Sequence, residues 1–167
     1  MMTRQLLLSI AFSCVATTVA TSQCLSNNIG MPLGAGDDTI STVALGFSFT
    51  FPDGTVVTSI DIDSNGRIFP PGAALSSSYG NAFTFTNGPT AVAPFWTDMD
   101  PSDPLSDDVY FSTDNATTAV VTWQDVVAKF DTEPLTFQAI LRSDNTCLLY
   151  TSPSPRDRTR SRMPSSA

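Results

Sequence analysis

Five aspartates crowd one short stretch of this chain: Asp98, Asp100 and Asp103, with Asp107 and Asp108 close behind. A hard cation takes several oxygen ligands, and one loop can supply them if its carboxylates converge. Asp98 and Asp100 are two residues apart, so an extended backbone sends both to the same side. Asp98, Asp100 and Asp103 are therefore the candidate calcium ligands. Two other chemistries compete for the same letters. One is a solvated acidic loop in which Asp and Pro act as turn formers. The other is a glycosidase pair, which needs a pocket and environments that split the two pKa values; nothing in the sequence supplies either.

Asp61, Asp63, Asn65, Gly66 and Ile68 match the first half of a calcium-binding helix-loop-helix loop. Its last ligand position, normally glutamate, falls on Gly72, and Pro70-Pro71 forbids the helix that should follow. A strand running into an Asn-Gly turn explains these residues better. The chain has no histidine, so the commonest general base and metal ligand are both missing. No nucleophile-elbow, metalloprotease or phosphate-loop motif occurs, and an enzyme is not expected. Trp96 and Trp123 invite sugar stacking, but both lie in strand patterns, where large aromatics fill a core. Tyr79, Phe83, Phe85 and Tyr110 are the aromatics expected at the surface. Asn115-Ala116-Thr117 accepts a glycan only in a eukaryotic secretory pathway.

The elements that must position these residues read as strands. Val43, Leu45, Phe47, Phe49 and Phe51 alternate with small or polar residues, the period of a half-buried strand. Pro52-Asp53-Gly54 turns the chain, and residues 56–63 resume it with Val56, Thr58, Ile60 and Ile62 on one face. Asn65-Gly66 makes the next turn, and Ile68-Phe69 is a short piece stopped by prolines. Residues 72–88 are expected to form a long surface loop, 91–97 a core strand and 98–108 an acidic, Pro-broken loop. Strands follow at 109–112, at 119–123 (running on towards 127) and at 135–142, where Phe137, Ala139 and Leu141 share a face. Helical spacing is absent after the N-terminus. Short strands with turns between them predict an all-β, antiparallel β-sandwich, truncated before its last strand or strands.

The ends belong to other classes of sequence. Residues 1–22 carry Arg4, an apolar run and small residues at Ala20 and Ser22, the pattern of a Sec-type signal peptide. Residues 147–157 read as one frame of a sequencing-library transposon adapter, and residues 161–167 as its flow-cell end. Residues 147–167 are accordingly expected to be an adapter-derived tail that packs poorly or borrows an edge of the sheet. This leaves 23–42 as a polar lead-in and 43–146 as the sandwich. The whole chain carries a net charge of −8. Without the signal and the tail, 3 bases (Arg67, Lys129, Arg142) face 15 acids, a net charge of −12. Such a surface repels nucleic acid and anionic membranes and suits a secreted protein. Cys24 is then the lone mature cysteine, with no partner in the chain.

Four segments in order carry a family likeness. They are Leu-Gly-Phe-Ser-Phe-Thr-Phe at 45–51 and Ile-Asp-Ile-Asp-Ser-Asn-Gly-Arg-Ile-Phe at 60–69. Next come Val-Ala-Pro-Phe-Trp-Thr-Asp-Met-Asp at 92–100, with Val-Tyr-Phe at 109–111 close behind, and Phe-Gln-Ala-Ile-Leu-Arg-Ser-Asp at 137–144. Together they resemble the nidogen-type extracellular (NIDO) domain and its relatives in secreted bacterial proteins. Asn145 stands where that family prefers glycine. The resemblance implies a non-catalytic extracellular module in adhesion or matrix and cell-surface contact within a longer protein. It implies no set of binding residues. An extracellular protein or a glycan is the expected partner, with calcium the one cofactor to test and no membrane insertion after signal cleavage. The alternatives are a calcium-dependent carbohydrate-binding module and an accessory domain of a secreted hydrolase.

Overall fold

The computed structural model describes residues 25–74 and 82–151. The signal segment, Cys24, Tyr79 and residues 152–167 lie outside them. Two antiparallel sheets face each other, as the alternating sequence requires. The first holds β1 (Met31–Pro32), β5 (Val109–Thr113), β6 (Thr118–Val127), β7 (Pro134–Arg142) and β8 (Cys147–Thr151), in the order β1-β5-β6-β7-β8. The second holds β2 (Ile40–Thr50), β3 (Val56–Asp63) and β4 (Arg67–Phe69) in chain order. A short helix, α1 (Ala82–Asn87), lies in the stretch expected to be loop.

The core forms where the two apolar faces meet. Leu45, Phe47, Phe49, Phe51, Ile60 and Ile62 come from one sheet, and Val109, Val121, Trp123, Phe137, Ala139 and Leu141 from the other. Burying each large side chain is worth about 1.5–3 kcal/mol, which is why the period of two is so plain in β2 and β7. In β3 the pattern starts late. Val56 is exposed because β2 shifts register between Ala44 and Phe49, and burial begins at Ile60. Gly46 sits in that irregularity with φ +84°, and a Cβ there would lie 2.5 Å from the Asn115 Cα. The β5–β6 turn therefore rests directly on β2, an approach open only to glycine.

The other face of the larger sheet is covered by the polar lead-in. Gln138 and Thr122 are buried there; Gln138 donates to the Thr122 hydroxyl and to the Ser26 carbonyl, and accepts from the Ser26 amide. Buried amides need such partners, and here they fasten the lead-in across the sheet.

Residues 91–97 do not form the expected core strand. Val92 makes a single bridge to Ile68, and Met99 makes one to Ala128 on the other sheet. The segment crosses between the sheets instead. Pro94 has no N–H to give a ladder, so pairing with β4 stops after Val92 except for a long contact from the Phe95 amide to the Gly66 carbonyl. β8 takes an edge position beside β7, pairing in register from Leu141 with Cys147 to Phe137 with Thr151.

Candidate functional site

One end of the sandwich gathers charge from three distant parts of the chain, and a buried polar turn holds them together. That turn, Asp63-Ser64-Asn65-Gly66, joins β3 to β4 and is sealed from solvent. The Asp63 carboxylate accepts the Asn65 amide at 2.7 Å and pairs with the Arg67 guanidinium. The Asn65 side chain reaches both ways. It donates to Asp38 at 2.8 Å and accepts the Met99 amide at 2.7 Å. Ser64 exchanges bonds with Thr39: its hydroxyl accepts the Thr39 amide, and its amide donates to the Thr39 carbonyl. Gly66 has φ +80°, and a Cβ there would fall 2.9 Å from the Phe95 carbonyl oxygen.

The crossing segment is then pinned to the far sheet. Lys129 N–H donates to the Asp98 carbonyl at 2.8 Å, and Asp100 N–H to the Val127 carbonyl at 3.0 Å. These anchors bring one carboxylate oxygen each from Asp37, Asp38 and Asp98 within 4.8 Å of one another. Lys129 Nζ reaches in from the side and pairs with Asp37 and, at 3.1 Å, with Asp100. Asp98 lies among like charges. Partial burial, then Asp38 and Asp37, raises its pKa above the usual aspartate value. Asp100 goes the other way, lowered chiefly by the Ser102 hydroxyl and further by Lys129. Bonds to Asp37 and Asp100 hold the lysine well above its ordinary range. The arrangement can hold a cation or meet a basic partner; the ammonium of Lys129 already offsets part of its charge.

Of the three residues chosen from sequence, Asp98 joins this cluster. Asp100 stands beside it through Lys129. Asp103 is turned to its own loop, where it accepts the Leu105 amide at 2.8 Å. Asp37, Asp38 and Lys129 escape sequence reasoning, since no local period connects residue 38 with residue 98. Their one signal is a pair of acids closing a glycine-rich stretch. Asp108 proves to be a clamp for the lead-in, accepting the Gly34 and Ala35 amides at 2.9 and 2.8 Å. Asp61, Asp63 and Asn65 form the strand and turn expected of them: Asp61 accepts from the Thr42 hydroxyl and the Gly72 amide.

The two tryptophans part company. Trp123 is fully buried, stacks on Phe137 at 5.0 Å and donates Nε1–H to the Asp63 carbonyl at 3.1 Å. Phe95 continues that stack on the other side of Phe137 at 5.1 Å. Trp96 is only half-buried, which corrects its placement in the core. Its ring lies under the Arg67 guanidinium at 5.2 Å and edge-on to Phe85 at 5.1 Å. Phe83 and Phe85 are exposed as expected, while Tyr110 is half-buried with its hydroxyl donating to Asp107.

No curated protein and no solved structure matches the chain. A family does: the one described as NIDO related matches residues 11–162, a span that takes in both sheets, the buried turn and the crossing segment. The paired sheets, the Asn-Gly turn and the Pro-Phe-Trp crossing are thus features of a member, and the chain belongs to the NIDO-related family.

Proposed function

We propose that the chain is a non-catalytic binding module of a secreted protein, acting in adhesion or in contact with matrix or a cell surface as part of a longer polypeptide. The observation that carries this is the family match across the whole sandwich, since NIDO-related domains are in general extracellular and non-enzymatic. The acidic surface supports an extracellular protein or glycan as partner rather than nucleic acid. Among the described residues no helix is long and apolar enough to cross a membrane. Expression of the full chain in a secreting host, followed by binding of the exported product to arrays of matrix proteins and glycans, tests the reading. Retention of the chain in the cell with residues 1–22 uncleaved, or export without binding to any array member, overturns it.

A second reading is favoured by the Asp37, Asp38 and Asp98 cluster: calcium-dependent binding, with a carbohydrate as the ligand. Calcium would neutralise three carboxylates that Lys129 offsets only in part, with Asp100 beside them. Calorimetric titration with calcium should then release heat in the native chain and none in Asp98→Asn. Silence at millimolar calcium removes this reading and leaves the first standing.

The same proposal takes residues 147–167 as adapter-derived, with β8 occupying an edge that another strand fills in the uninterrupted gene. Reading that gene across codon 147 tests it. A sequence identical to this one there overturns it.

A further inference from the structure

The turn between β6 and β7 presents a side chain that contributes nothing to the core. Phe130 is 100% exposed. Its backbone has φ +66°, and it occupies the third position of a turn closed by the Asp131 amide on the Ala128 carbonyl at 2.9 Å. Glycine or asparagine suits a left-handed residue at that position, and a bulky ring is an outlier. Strain of this kind persists where the surroundings over-determine it, and it clusters at binding sites.

The surroundings do over-determine it. Lys129, on one side, is tied through its amide to Asp98 and through its ammonium to Asp37 and Asp100. On the other side the Asp131 carboxylate accepts the Thr132 and Glu133 amides at 2.7 and 3.3 Å. The ring therefore stands on a pinned turn rather than on a floppy loop, so little ordering is lost when it is captured. Acids adjoin it in the chain at Asp131 and Glu133, and the neighbouring Lys129 ammonium is already shared between the Asp37 and Asp100 carboxylates.

We propose that Phe130 is the anchor of a protein–protein contact, entering an apolar pocket on a partner whose rim carries lysine or arginine. This rests on the reading of the chain as a binding module and names the surface that does the binding. A central aromatic within a charged rim is the usual form of an energetic hot spot. A second copy of this chain fits poorly, because of the three bases among the described residues Arg67 is buried and Lys129 paired, which leaves Arg142 alone to supply a basic rim. An anionic membrane is repelled by the acidic rim.

The test uses random cyclic peptides selected on the full chain and measured against Phe130→Asn, which keeps the left-handed backbone and removes the ring. The peptides expected are apolar and basic. Their affinity should fall at least about tenfold on Phe130→Asn and weaken as salt is added. The variant's Tm should equal or exceed that of the parent. Enriched peptides that bind the variant equally well overturn the inference while leaving the binding-module reading intact, as does a clear loss of Tm, which would make the ring structural. Failure to enrich any peptide overturns the inference as well. Partition of the parent, and not of the variant, into phosphatidylcholine vesicles would replace the protein partner by a lipid surface.

Discussion

Asp98 and Asp100 are neighbours in sequence with opposite titration behaviour, and their surroundings say why. Asp98 is raised by partial burial and by Asp38 and Asp37. The folded state therefore holds that proton more tightly than the unfolded chain does. Its charged form costs stability at neutral pH, and the cost is relieved as pH falls through the raised folded value towards the ordinary 3.8. Asp114 behaves in the opposite sense. It accepts the Thr117 hydroxyl and the Ala116, Thr117 and Thr118 amides, and lies far below the ordinary 3.8. Its contribution is present above 3.8 and fades as pH falls below it. Asp98→Asn should accordingly be more stable than the parent at pH 7, by about 0.5 kcal/mol, with the advantage shrinking on mild acidification. Asp114→Asn should melt earlier at pH 7 and show a shallower loss of Tm in acid. Thermal unfolding followed by circular dichroism across pH reads both. If the calcium reading holds, saturating calcium reverses the sign for Asp98→Asn.

At the scale of elements, the period of two in the sequence proved an uneven guide. Alternation of large apolar side chains located β2, β5, β6 and β7 because each buries one face against the opposite sheet. The same signal failed at residues 91–97, where apolar letters serve a segment that crosses between sheets and Pro94 withholds a donor. It failed again at Val56, because the irregularity around Gly46 displaces the register, and pairing register is not written in either strand alone. The turn at Asn65-Gly66 was legible as a turn; that it would be buried and polar was not, since its partners Asp38, Thr39 and Met99 come from elsewhere. Gly66→Ala tests the weight this turn carries. The added Cβ would meet the Phe95 carbonyl at 2.9 Å in a backbone conformation hostile to side chains. A loss of about 2–4 kcal/mol in urea unfolding is expected, and a change of less than about 1 kcal/mol would mean that the crossing segment moves aside freely. Trp123→Phe should cost about 2–3 kcal/mol through the vacated volume and the loss of the Nε1 bond to the Asp63 carbonyl, which keeps only the Gly66 amide of these two donors. It should also remove the blue-shifted part of the fluorescence and leave the half-exposed Trp96.

The whole molecule starts and finishes its described course on one sheet, with β1 and β8 at opposite edges and the smaller sheet threaded between. Were the two ends held by different bodies, tension would reach neither β2 nor the Trp123 stack at first. It would meet the Ser26 and Gln138 bonds and then β1, two residues long and including a proline. An edge strand so short offers few bonds to load and yields at low force. Stretching a single molecule should therefore show a first yield at low load before the sandwich gives way, with roughly 30 Å released from residues 25–33 alone. The Asp108 clamp on Gly34 and Ala35 would act as the brake on that extension. A tether that pays out chain while its core stays shut gives a lengthening under load without unfolding, a shock absorber made from the polar lead-in.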